Sequence, residues 1–348
     1  MALVLAAAST GAVAQSSQLA DELEWKRLDI RPRPTLLREP GVQFYGRLDL
    51  AVARIGGRSW VGHERVPSYW GVRGDQRVGG GWRVRFELEQ GFDASGPLPA
   101  ETPSPPPSDC GTSFGRACWV ELEHPGGAAL AAGRDLQPAY RIAALADPWL
   151  GAAGATDPPL LYAAPGGADA APKASRHAPR IRTSQALRLR SPDWANHRVE
   201  MVGSLPDAGQ PAAEVGAAWR YEQGAWLLGV GWHRWDADHE AIPVSAIVRG
   251  GLWRLHLGAT LGRTEGRRYH GTVLGLTAEG RSGVRPLVWR LALAAGRVDG
   301  GPRQGKLALG FEQRRGPRVA LYGNLAWGRQ TRDAGWVLEL GVRQGFVL

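Results

Sequence analysis

Cysteine, lysine and long apolar runs are all scarce in this 348-residue sequence, and each scarcity excludes a class of protein. Two cysteines, Cys110 and Cys118, are too few for a disulfide scaffold, and their spacing is not that of a metal site. No stretch approaches the roughly 18 to 20 consecutive apolar residues of an α-helical span, which excludes a bundle of membrane helices. Lysine is confined to Lys26, Lys173 and Lys306. The other 39 basic side chains are arginines spread evenly along the chain, which argues against a dedicated nucleic-acid surface. The eight histidines are dispersed and no G-x-S-x-G motif occurs, so no nucleophile stands beside a base in an obvious hydrolase pattern.

What is present is a folded composition, 43% hydrophobic and 22% charged, with 48 Gly, 15 Trp and a formal net charge of +9. Residues 1–14, MALVLAAASTGAVA, are uncharged, apolar and small, and end in the A-x-A site Ala12-Val13-Ala14. They read as a signal peptide without the usual basic n-region, with Gln15 as the mature N-terminus. In the oxidising compartment that export implies, Cys110 and Cys118 are expected to close the small ring CGTSFGRAC.

Periodicity carries the fold class. From Trp82 to Asp93, Trp82, Val84, Phe86, Leu88 and Phe92 share one parity while Arg83, Arg85, Glu87, Glu89 and Asp93 share the other. Alternation at period 2 over that length is a strand with one apolar and one wet face. The pattern recurs in about 16 segments between Gly41 and Leu348, separated by Gly, Pro and charged turns. A soluble sandwich also alternates, but its strands run roughly 5 to 6 residues and its apolar faces meet in a core. Here the strands are longer and the wet face carries Arg repeatedly. A transmembrane barrel accounts for both features, with lipid on the apolar face and a water-filled lumen on the other. Trp82, Trp226, Trp235, Trp253 and Trp336, near strand ends, are expected in interfacial girdles. Short glycine turns such as Val78-Gly79-Gly80-Gly81 alternate with long Pro-rich connections, the longest about Gln137 to Pro179.

Several stretches resemble the general diffusion porins of Gram-negative outer membranes. They are VQFYGRLDLAV, SYWGVRGDQRVGGGWRVRFELEQGFD, SFGRACWVELEHPGGAALAAGRDLQPAY and ALRLRSPDW, spanning about Gly41 to Trp194. The resemblance implies an all-β fold, a 16-stranded antiparallel barrel over residues 41–348, whose third extracellular loop, residues 137–179, folds into the lumen as a constriction. It also implies an outer-membrane homotrimer that lets small hydrophilic solutes diffuse through, with no cofactor, no metal and no nucleic-acid partner. Residues 15–40 precede the first strand and are expected to form a periplasmic extension. The chain ends Phe346-Val347-Leu348 where the family commonly ends in Phe; Leu348 keeps the parity of Phe346.

By the same resemblance a basic ladder on the wall faces acidic residues of the loop. The candidates are Arg134 of the G-R-D element, Arg182 opening the strand after the loop, and Arg188 and Arg190 beside it. Tyr69 stands where the family usually carries Arg, while Arg47 and Arg73 project to the lumen by parity. Asp147, in ALADPWLG, matches the loop's acidic position, and its other reading is a turn-forming Asp before Pro148. Inward Arg47, Arg73, Arg83, Arg85, Arg182, Arg188 and Arg190 outnumber Asp49, Asp75, Glu87 and Glu89, so anion preference is expected. The alternatives are a barrel blocked by its own loops with a structural or adhesive role, and a barrel-embedded hydrolase.

Overall fold

The structure is a computed structural model and describes residues 41–55, 58–63, 68–92, 114–149, 181–205, 213–282, 285–301, 303–316, 318–330 and 333–348. The expected signal peptide and N-terminal extension, Cys110, and the loop from 150 to 180 lie outside the described residues.

Sixteen strands form one antiparallel sheet closed on itself. β1 (Gly41–Ile55) is followed by β2, whose two segments Arg58–His63 and Ser68–Arg77 both pair along β1. β3 (Arg83–Phe92), β4 (Ala117–Glu123) and β5 (Ala129–Leu136) lead to the helix α1 (Pro138–Leu145). β6 (Arg182–Arg190), β7 (His197–Ser204), β8 (Val215–Gln223), β9 (Trp226–Arg234) and β10 (Glu240–Gly250) continue the wall. The longer strands β11 (Trp253–Thr264), β12 (Arg267–Ser282), β13 (Arg285–Val298), β14 (Gln304–Arg314), β15 (Val319–Gln330) and β16 (Asp333–Val347) complete it. β16 returns to β1, with Tyr45 opposite Val347 and Ile55 opposite Val337, so among the described residues every strand is paired on both sides and the sheet closes.

The two faces of this sheet are inverted relative to a water-soluble protein. Asp49, Glu312 and Glu339 are fully buried inside, whereas Leu187, Leu340 and Trp336 on the outside are 56%, 57% and 60% exposed. A row of exposed leucines around a buried ring of charge is stable only where lipid is the outer solvent. Outward Trp226, Trp253 and Trp289 stand toward the end with the short turns, and Trp327 and Trp336 toward the other, 6.3 Å apart. Trp194, His197, Trp219 and Tyr221 form a further ring stack at the short-turn end. Amphipathic rings at two levels match the two membrane interfaces.

Trp235 departs from the girdle expectation. It is 2% exposed and packs inside the barrel with Ala139, Tyr140 and Ala143 of α1, edge-on to His233 at 4.8 Å. Its parity is that of Leu227 and His233, which face inward, and that parity overrides its position near a strand end.

The short turns follow from glycine. In Val78–Trp82, Gly80 and Gly81 adopt φ of 71° and 78°, the left-handed region that side chains disfavour, and Val78 N–H donates to the Trp82 carbonyl. At the C-terminus Phe346 packs on Phe44 at 5.7 Å, and the Leu348 amide donates to the Phe44 carbonyl at 2.8 Å. The last strand therefore runs past Phe346 as its parity suggested.

Candidate functional site

α1 lies inside the lumen with all eight residues buried. Pro138 at its first position has no amide to leave unpaired, and AYRIAAL supplies small and unbranched residues that favour a helix. A helix ending inside a protein must satisfy its last four carbonyls. Here Ala143 and Ala144 accept from the amides of Ala146 and Asp147, both at 3.2 Å. The other two are met from the barrel wall: Ser245 Oγ donates to the Ile142 carbonyl at 2.7 Å, and His256 Nδ1 donates to the Leu145 carbonyl at 3.0 Å. Because a carbonyl only accepts, His256 carries its proton on Nδ1 and Nε2 accepts from the Thr277 hydroxyl at 3.1 Å. Burial pushes the Tyr140 phenol up to about 12, with the nearby Arg182 charge opposing.

Where the loop comes closest, the wall beneath it carries glycine or alanine. A Cβ on inward Gly229 would stand 2.7 Å from Ile142 Cδ1, one on Gly231 2.7 Å from Ala139 Cα, and one on Gly310 2.9 Å from the Trp149 ring. Side chains at Gly258 and Gly275 would collide with Ala146 and Pro148. Ala292, Ala308 and Ala326 surround Trp149, whose indole N–H donates to Asn324 Oδ1 at 3.0 Å; Asn324 in turn donates to Glu339 Oε2 at 3.0 Å. The loop thus runs from β5 across β9 to β12 and reaches β15, over glycines and alanines at its closest approaches and with Leu227, Trp235, Ile247 and His256 packed against α1.

Asp147 is fully buried on this track, and its Oδ1 accepts the Trp149 amide at 2.9 Å. That is the geometry of the turn-forming reading. Arg141 reaches the neighbouring wall, to Asp135 of β5 at 2.6 Å and Glu200 of β7 at 3.5 Å.

The half of the lumen formed by β1 to β7 is charged. Arg83, Arg85, Arg141, Arg188 and Arg190 form one network with Asp75, Glu121, Glu123, Asp135 and Glu200. Glu121 is its hub, 3.2 Å from Arg85, 3.6 Å from Arg188 and 3.1 Å from Arg190. These five arginines are matched one for one by carboxylates. A second cluster is organised by tyrosines. Arg73 lies 4.5 Å over the Tyr45 ring and donates to Gln43, while the Tyr69 ring sits between Arg47 at 5.4 Å and Arg116 at 5.0 Å. Tyr45 donates to both Glu87 and Glu89, and Arg116 stands 3.5 Å from Glu89. A guanidinium held by its face against a ring keeps its N–H edge for other acceptors.

The structure therefore brings Arg47, Tyr69 and Arg73 together on the inner wall and draws Arg188 and Arg190 into the balanced network. Arg134 stands opposite Cys118, on the parity that faces away from the lumen. Its Nε donates to the Gly115 carbonyl at 2.8 Å, and its Nη1 to Ser184. Asp135, one residue on, keeps the inward parity of Ala129 and Ala131, while the register shift beside it places the extra residue on β6, where Gln185 adopts a φ of 47°. Arg182 pairs with Leu136 at the root of the loop. Cys118 is disulfide-bonded. Sequence reading missed Glu121, Glu123, Asp135 and Glu200, although V-E-L-E and H-R-V-E alternate like the strands that were used. It also missed Ser245 and His256, for which single-strand alternation carries no sign of a loop partner.

A closed transmembrane β-barrel with a loop packed inside its lumen is the architecture of a membrane channel rather than an enzyme. The sequence matches the Gram-negative porin family over residues 2–333, and the chain belongs to that family; it is an outer-membrane diffusion porin. No curated protein sequence matches it significantly. Among solved structures it is similar to the anion-selective porin from Comamonas acidovorans, with a TM-score of 0.69 and 20% identity over 88% of this chain and 100% of that one. It is also similar to the trimer form of OmpT, an outer membrane protein of Vibrio cholerae, with a TM-score of 0.62 and 11% identity over 88% and 99%. A mutant of the Rh. blastica porin matches with a TM-score of 0.59 and 13% identity over 88% and 100%.

Proposed function

We propose that this porin is a homotrimer that prefers small hydrophilic anions, and that Arg47 and Arg73 set the preference. The observation that carries the reading is the stacking of these arginines on Tyr69 and Tyr45, on the inner wall formed by β1 and β2. Arg47, Arg73 and Arg116 gather there around Tyr45, Tyr69, Glu87 and Glu89, while the network around Glu121 joins five arginines to five carboxylates. Guanidinium groups stay charged at every accessible pH and offer a fork to carboxylate or phosphate. Similarity to a porin named anion-selective and to one solved as a trimer supports the reading.

Reversal potential across a KCl gradient tests it. The wild type is expected to pass Cl⁻ in preference to K⁺, and Arg47→Ala with Arg73→Ala should move the potential toward zero. The preference should weaken as salt rises, since lumen charges are screened within about 8 Å at physiological ionic strength. A cation-preferring wild type would refute the assignment, and a silent bilayer would favour a barrel blocked by its loops.

A further inference from the structure

The lipid-facing surface carries a feature that conduction does not use. On β12, β13 and β14, near the long-loop end, outward side chains fall into three cross-strand rows. The top row holds Arg297, directly opposite His270, and Arg303, which immediately precedes β14. One strand pair over, Arg263 stands directly opposite Arg268. Like charges in direct register repel, so the Arg263–Arg268 pair costs stability unless something neutralises it. Arg263 has Glu240 at 3.9 Å. Among the described residues Arg268, Arg297 and Arg303 make no ion pair, Asp299 in the intervening turn is exposed and makes none either, and Arg297 Nε is buried without a hydrogen-bond partner.

Immediately below lies a row of small residues, Thr272 opposite Ala295 and Ala295 opposite Gly305. Below that the row is bulky and apolar, Leu274 to Leu293 to Leu307 to Trp327. The step from small to bulky side chains leaves a groove of about 590 Å³ in the outer wall, with Arg303 among its lining residues. An apolar hollow on the lipid-facing wall, capped by arginines toward the long-loop end, is complementary to one kind of molecule.

We propose that this groove binds a lipid with a phosphate headgroup, its acyl chain lying over Thr272, Ala295 and Gly305 and its phosphate held by Arg297 and Arg303. The phosphate supplies the missing counter-charge to the arginine row, and bidentate arginine contacts suit it. The same cationic rim would repel an identical rim on a second copy of the chain.

Native mass spectrometry of the full, detergent-solubilised protein tests this, with dioleoylphosphatidylglycerol, dioleoylphosphatidylcholine and inorganic phosphate as probes. The anionic lipid should be retained at least tenfold more strongly than the zwitterionic one, and inorganic phosphate should not displace it. Arg297→Gln with Arg303→Gln should weaken anionic-lipid retention about thirtyfold, the loss expected of two headgroup-level arginines. Ala295→Leu fills the hollow and should weaken both lipids while keeping their order. Equal retention of the two lipids, undiminished binding by the arginine variant, or full displacement by inorganic phosphate overturns the proposal. So does dissociation of the oligomer by Ala295→Leu, which would make the groove a subunit contact. Should the double variant fail to assemble, Arg303→Gln alone, at an exposed position outside the ladder, carries the comparison.

Discussion

Replacing His256 by Leu removes the wall's hold on the end of α1 while filling nearly the same space. His256 is 2% exposed, and its two ring nitrogens serve the Leu145 carbonyl and the Thr277 hydroxyl. The hydroxyl can rotate to another acceptor, but the carbonyl is left buried beside a leucine that keeps water out. An orphaned buried acceptor costs about 1 to 3 kcal/mol, so the population with the loop end off the wall should rise by roughly fivefold to 150-fold. Adding Ser245→Ala orphans the Ile142 carbonyl as well, and the combined effect should be less than additive because both groups anchor one helix end. His256→Gln retains a donor that can reach the Leu145 carbonyl and should restore quiet behaviour. Single-channel recording reads the outcome as open-channel noise and substates, with β-type circular dichroism and heat-resistant migration showing that the barrel persists. If the Leu variant is as quiet as wild type, or the Gln variant as noisy as the Leu variant, the carbonyl contact does not hold the loop.

Gly258→Val should press on Ala146, cost about 1 to 3 kcal/mol of overpacking and change single-channel conductance, whereas Gly335→Ala, with open space at its Cβ, should leave it unchanged. Glu121→Gln removes the hub of the charged network and should raise Cl⁻ preference in reversal-potential measurements. Leaving guanidinium groups without their buried partner should also lower the barrel's heat resistance, since breaking such a pair costs about 3 to 5 kcal/mol. Cys118 should be found joined to Cys110 by non-reducing peptide mass spectrometry, and alkylation of both thiols without reduction would refute that pairing. In detergent the protein should run as a β-rich trimer until heated, and a monomer before heating would count against the oligomer proposed above.

How much of this was legible beforehand differs sharply between the wall and the loop. Alternation in WRVRFELEQGF assigned both faces of β3 without any partner, because a strand's side chains take opposite sides whatever it pairs with. The same rule placed Arg47, Arg73, Arg188 and Arg190 inside. Arg134 keeps the outward parity of Leu130 and Ala132, its inward aim having rested on the resemblance alone, and Trp235 was misjudged because its position near a strand end was weighed above its parity. Nor could it show that Arg188 and Arg190 meet Glu121 and Glu123. Those residues lie on different strands, and their encounter depends on register and barrel closure.

By itself, then, the sequence determined what is local and periodic: the strands, their two faces, the glycine turns, and the need for lipid outside and water inside. The tertiary structure decided what depends on groups distant in the chain. Ser245 and His256 become anchors only because closure of the barrel carries α1 to within 3.0 Å of them, across more than a hundred residues. Gly229, Gly231, Gly258, Gly275 and Gly310 become a track only because one loop passes over all of them. Period-2 patterning records which side of a sheet a residue faces. It carries no information about what the lumen places opposite, since that is fixed by shear, register and the path of the loop.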